Sequence, residues 1–167
     1  MNPATPQLHT TEHTFTQLLS ATRRGTRLAR LLTAEKLRAW DVDMDTAECA
    51  EQIVAELAAN AAFHGNVRGR GFRISLTLDD ASATLRIEVS DARGDRLPEA
   101  TRSPADESGR GLLIVESLAD GWGVEGYAPG GKTVWAELAK ARLGSSAATG
   151  SSARAHGRHG PHESWRV

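Results

Sequence analysis

Hydrophobic and polar positions change period along this chain, and the changes divide it into elements. HTFTQLLS, from His13, alternates and carries β-branched residues, as a short edge strand does. The stretch TRRGTRLARLLTAEKLRAW then places Leu28, Leu31, Leu32, Ala34 and Leu37 at helical spacing, which predicts a first helix. The acidic run DVDMDT breaks it and offers Asp45 or Thr46 as the N-cap of a second helix, running to about His64 with Gly65 as its stop. FRISLTL and ATLRIEVSD alternate with period two around DDAS, a β-hairpin pattern. A connection rich in Gly, Pro and charge runs from Ala92 to Ser108. GRGLLIVESLAD then opens on glycines and continues as an apolar helix, and WGVEGYA and KTVWAEL close the pattern as a second hairpin around PGG. Strands in pairs and helices apart from them, in the order β-α-α-β-β-loop-α-β-β, predict an α+β two-layer sandwich, one helical layer on a mostly antiparallel sheet. Trp122 and Trp135 are expected to be core anchors of the final hairpin.

Composition adds limits. With 167 residues, 40% of them hydrophobic, the chain suits one core. From Lys140 onward it is rich in Ser, Gly, Ala, Arg and His, so the expected division is a flexible N-terminus over 1–12, a folded domain over 13–139 and a disordered basic tail over 140–167. A formal net charge of −1 argues against direct binding to nucleic acid or to an anionic membrane. Cys49 is the single cysteine, so no intramolecular disulfide forms within this sequence, and no Cys/His spacing suggests a structural zinc site. No secretory pattern is visible at the N-terminus and no run approaches the ~18 apolar residues of a membrane span. The expected location is the cytoplasm.

Candidate chemistry begins in the second helix, where ELAANAAFHG sets Glu56, Asn60 and His64 four residues apart. At about 100° per residue, with Ile53 at the origin, Leu57 falls near 40°, His64 near 20°, Asn60 near 340° and Glu56 near 300°. Glu56 and Asn60 therefore flank the apolar stripe. Either they are edge groups, one solvated and one bonded to a neighbouring backbone, or the helix borders a cavity. In the second case the Asn60 carbonyl can ligate a hard cation and Glu56 can act as a base. Mg²⁺ takes one or two protein oxygens and completes its shell with water and phosphate, so one Asn and a triphosphate suit it.

Other candidates follow in order. Asp91 ends the apolar strand LRIEVSD, either as a turn residue or as an acceptor for an adenine amino group. Gly109 and Gly111 lie just before an apolar helix, where backbone amides favour phosphate. Thr133, in the last strand, is an ordinary strand residue or a hydroxyl at the base.

Together ELAANAAFHG, VSDARG, ESGRGLLIVESLADGWGV and GGKTVWAEL resemble the GHKL (Bergerat-fold) ATPases, and most of all the anti-sigma-factor serine/threonine kinase branch in its small stand-alone actinomycete form. The resemblance spans roughly Thr14 to Leu138. It implies helices on one face of a mostly antiparallel mixed sheet, as in the histidine-kinase-like ATPase fold, with ATP and Mg²⁺ as cofactors. Carried over, Glu56 matches the general base, Asn60 the Mg²⁺ ligand, Asp91 the adenine aspartate, Gly109 and Gly111 the second glycine box, and Thr133 the adenine-side threonine. His64 matches a position often held by His, at phosphate or at the helix end. The family pattern D-x-G-x-G is DARGD here, with Arg93 and Asp95 at the glycine places and Gly94 between them. That departure, with a short lid, predicts fewer phosphate contacts and modest ATP affinity. Arg110 and Arg93 either steady γ-phosphate charge or are solvated.

The implied function is an ATP-dependent serine/threonine protein kinase that phosphorylates an anti-anti-sigma (STAS-type) partner, sequesters a sigma factor and controls transcription by partner switching. The alternative is a nucleotide-gated binding module without kinase activity. The family likeness also admits a homodimer through the first strand and helix.

Overall fold

The computed structural model describes residues 12–63, 70–93, 107–127 and 130–139. Their order is β1 (Glu12–Leu19), α1 (Arg23–Ala39), α2 (Met44–Phe63), β2 (Phe72–Asp79), β3 (Thr84–Asp91), α3 (Glu107–Leu118), β4 (Gly121–Tyr127) and β5 (Gly131–Ala139). This is the predicted succession of elements. The expected terminal segments, His64, Gly94 and most of the lid lie outside the described residues, although β1 already includes Glu12.

Helix boundaries follow from caps. Thr22 opens α1 by accepting from the Gly25 N–H at 3.1 Å. At its other end Asp41 takes the left-handed conformation (φ 52), the Val42 N–H reaches Leu37 C=O and the Asp41 N–H reaches Arg38 C=O. That is a Schellman closure with aspartate in the place usually held by glycine. Neither Asp45 nor Thr46 caps α2. Asp43 does, its carboxylate accepting from the Thr46 N–H at 2.9 Å and its C=O from the Ala47 N–H at 3.0 Å.

The leucine pattern of α1 also resolves differently from the expectation. The stripe turned to the core is Gly25, Ala29, Thr33 and Leu37, whereas Leu28 and Leu31 are 42% and 58% exposed. Gly25 leaves room for the Ser20 carbonyl, which a Cβ would meet, and the small Ala29 is wholly buried on the same stripe. Thr33 is tolerated there because its hydroxyl donates to Ala29 C=O at 2.9 Å.

Five strands form one sheet in the order β1-β2-β3-β5-β4, antiparallel throughout the described residues, where the sequence predicts a mostly antiparallel mixed sheet. Alternation sends Ile74, Leu76, Leu78, Leu85, Ile87, Val89, Val134, Ala136 and Leu138 to the face covered by the helices, where they meet Ile53, Val54, Leu57, Leu112 and Val115. The opposite face is polar. There Arg86 pairs with Glu88 at 2.9 Å and Glu137 at 2.7 Å and lies 4.5 Å above the Trp135 ring. Burial works against the Arg86 charge, but these carboxylates outweigh it and raise its pKa. Trp135 is therefore a platform on the outer face and not a core anchor; Trp122 does pack against the core.

Gly123 lies flat beneath that platform: a Cβ there would stand 2.8 Å from Trp135 Cζ2 and 2.9 Å from Cε2. Gly123→Val is expected to cost about 1–3 kcal/mol through this overpacking, read from the urea midpoint. No helix among the described residues is long and apolar enough to cross a membrane.

Candidate functional site

Connectivity gathers the candidate residues at one end of the sheet. α2 ends at Phe63 and the chain re-enters as β2 at Phe72; β3 leaves at Asp91, and α3 begins at Glu107. The register pairs Arg73 with Ser90 and Asp91 with Lys132, so the start of β2, the end of β3 and the start of β5 share one edge. The last turns of α2 and the first turn of α3 belong to the same edge.

Glu56 and Asn60 sit half-buried on α2, beside the fully buried Ile53, Leu57 and Ala61, as the helical angles predict. α3 approaches them through Gly111. A Cβ built on Gly111 would stand 2.7 Å from Glu56 Oε2 and 3.6 Å from Asn60 Nδ2. The glycine is thus a close-approach residue that leaves room for the carboxylate. Of the polar atoms of the Asn60 amide, only Nδ2 is both buried and without a hydrogen-bond partner. Such a group costs about 1–3 kcal/mol when left unmade. On its other side Glu56 lines a groove between α1 and α2 of about 600 Å³, with Arg30, Glu48, Glu51, Gln52 and Ala55.

Gly109 and Gly111 do not precede the helix; both lie within α3, which begins at Glu107. Only the first four amides of a helix lack intrahelical partners, so Gly109 still offers an unpaired N–H by position and Gly111 does not. Arg110 is exposed on the same turn.

Asp91 closes the buried face of β3 and is itself buried. Its partner is Lys132, whose Nζ lies 3.0 Å from each carboxylate oxygen, the two side chains being 4% and 7% exposed. The same ammonium donates to Arg93 C=O at 2.6 Å, and the Arg93 N–H donates to Asp91 Oδ1 at 2.8 Å. Arg93, at the first glycine place of DARGD, is not among the residues of positive φ, so the missing glycine imposes no left-handed strain there.

Thr133 is not with this group. It faces the other side of the sheet, bonded to Ser90 Oγ at 2.8 Å, because neighbouring strand residues point oppositely. The residue that reaches Asp91 from β5 is one place earlier, Lys132. Sequence reasoning missed it, although the period-two alternation that puts Val134 and Ala136 inside also puts Lys132 there.

Residues 19–138 match the family model for the histidine kinase-like ATPase domain. The chain belongs to this family. The histidine kinase-like ATPase fold is also the fold of two solved structures that it resembles. The structure of the RsbU and RsbW domains of Rv1364c from Mycobacterium tuberculosis superposes with a TM-score of 0.62 at 20% identity, over 78% of this chain and 33% of that one. The structure of the SiaB-SiaC complex from Pseudomonas aeruginosa gives a TM-score of 0.57 at 9% identity, over 74% of this chain and 88% of that one. At these identities the likeness is one of fold, and the chain spans about a third of the first structure's length. Comparison with the curated proteins gives no match. Membership in a family of ATPase domains makes ATP the nucleotide to consider.

Proposed function

We propose that the protein binds Mg²⁺-ATP at the junction of α2, α3 and the Asp91 edge, and transfers phosphate to a serine or threonine of an anti-anti-sigma, STAS-type partner, so controlling a sigma factor by partner switching. The observation that carries this reading is the convergence of the Glu56 carboxylate and Asn60 amide on Gly111. SiaB is solved together with SiaC, and this chain is read by analogy as a protein that works against a partner.

The residues fit a magnesium nucleotide. Among the described residues no three His, Cys, Asp or Glu side chains converge as a metal cage, so a cation here would rest on Asn60 and on phosphate oxygens. Magnesium, when bound, supplies positive charge to the phosphates. The Asn60 amide oxygen would be the protein ligand in that role. The Gly109 amide and the Arg110 guanidinium receive phosphate at the start of α3. Asp91 accepts the adenine amino group, and His64 and Gly94 are assigned to the nucleotide on sequence alone. Glu56, with a groove at its other side, orients or deprotonates the incoming hydroxyl. Phosphoryl transfer asks chiefly for positioning and charge stabilisation, which a small site provides.

Thermal unfolding tests the nucleotide site. Saturation at 100 times Kd is expected to stabilise the wild type by about 2.7 kcal/mol, in a magnesium-dependent way, and Asn60→Ala should lose that response. An equal shift in both proteins would remove Asn60 from the site. Gly111→Ala separates stability from positioning. The new methyl displaces only the mobile end of Glu56, and Ala is favoured over Gly in a helix by up to about 1 kcal/mol, so Tm should hold or rise. Phosphate transfer to the partner should nevertheless fall, which a filter assay with labelled ATP measures.

The nucleotide-gated binding module is the second reading. It is favoured by the Lys132 contact to Arg93 C=O, which occupies a backbone acceptor of the DARGD segment. Retained ATP binding with no transfer to any STAS-type candidate would select it.

A further inference from the structure

A lysine buried against a carboxylate is an uneconomical way to hold two strands together. Replacing such a pair by apolar groups of similar volume is often neutral or stabilising, so its presence asks for a second reason. Lys132 and Asp91 stand side by side where β3 ends and β5 begins, on the face that the helices cover and at the edge where α2 ends. Two of the three ammonium N–H groups are accounted for by hydrogen bonds, to Asp91 Oδ1 at 3.0 Å and Arg93 C=O at 2.6 Å. The third faces Asp91 Oδ2, also at 3.0 Å, so Lys132 holds the carboxylate through both oxygens, and the side chain is 7% exposed. An ammonium that holds one carboxylate through both oxygens keeps its ion pair when one N–H turns to a ligand, so the donor and the acceptor beside it form a two-point recognition edge.

We propose that Lys132 reads the purine: its ammonium donates to adenine N1 while Asp91 accepts from the 6-amino group. The inference rests on the assignment of Asp91 to the base and adds a specificity-determining residue to it. Adenine presents an N–H donor at position 6 next to a bare acceptor at N1, the complement of the Asp91 and Lys132 pair. Guanine in the same pose would set its O6 against the carboxylate and an N–H against the ammonium, and both contacts would repel. The hydroxyl of Thr133 is on the far face and has no part in this reading. Lys132 thus makes adenine selection a direct two-contact readout, held in place by the tie to Arg93.

The test is isothermal titration of the full chain with Mg²⁺-ATP, with Mg²⁺-GTP, and with 1-deaza-ATP, which keeps the 6-amino group and has C–H in place of N1. A charge-assisted hydrogen bond predicts that 1-deaza-ATP binds the wild type about tenfold or more weakly than ATP, with GTP weaker than ATP. In Lys132→Met the ATP and 1-deaza-ATP affinities should converge to within about twofold. Equal wild-type affinities for ATP and 1-deaza-ATP, or a preference for GTP, overturn the assignment while leaving the nucleotide site intact. No binding of ATP to the wild type overturns both readings. The wild-type comparison decides the matter by itself, even where the variant folds poorly.

Discussion

Lys132→Met is expected to lower the free energy of unfolding by about 3–5 kcal/mol, the usual consequence of stranding one member of a buried ion pair. Methionine nearly preserves the volume, so the loss is electrostatic. The Asp91 carboxylate, 4% exposed, loses the ammonium that stands 3.0 Å from both of its oxygens, and Arg93 C=O loses that ammonium as a donor. Urea unfolding of the variant measures the cost. The double change Asp91→Asn with Lys132→Met should recover most of it, because an amide is far cheaper to bury than a carboxylate that has lost its ammonium. A cost below about 1 kcal/mol for the single change would place the pair in water instead, since exposed pairs contribute no more than that.

Glu56→Gln should leave nucleotide binding nearly intact and reduce phosphate transfer by about 10²–10⁴-fold, the range set by losing a positioned general base. The substitution keeps the shape that fits beneath Gly111, where a Cβ would already stand 2.7 Å from the carboxylate. Folding is therefore not at issue. Single-turnover transfer from labelled ATP to a STAS-type partner, beside a titration of ATP binding, separates the two effects. Unchanged transfer would move the base elsewhere and favour the binding-module reading.

The fold was almost wholly legible in the sequence, for reasons that differ by element. Alternation in FRISLTL and ATLRIEVSD determines which face is inside, and both hairpins of the described sheet follow from it. Helix one was legible as a helix but not in its orientation. Leu28 and Leu31 have the right spacing to be buried, yet the buried stripe is Gly25, Ala29, Thr33 and Leu37, with Gly25 held against the Ser20 carbonyl. The α2 cap was misplaced because Asp43, Asp45 and Thr46 are all good caps, and only the hydrogen bond to the Thr46 N–H distinguishes them.

The site was legible in part. The flanking angles of Glu56 and Asn60 placed them correctly at the edge of the apolar stripe. Thr133 was grouped with Asp91 but lies on the other face of the sheet, and in a strand one residue is a whole face. Lys132 escaped notice because a lysine at a strand start is ordinarily taken for a solvated group. Nothing local in the sequence announces that a carboxylate on another strand will be paired with it.

The close approach of Gly111 to Glu56 binds two distant positions into one inherited unit. While position 56 carries a carboxylate, a side chain at position 111 has to push the mobile end of that acid aside. A descendant that loses the acid is released to accept a larger residue on α3, and one that first enlarges position 111 has already disturbed the acid. The two positions should therefore drift together, so that a side chain at 111 in a relative is expected beside a displaced or replaced acid at 56.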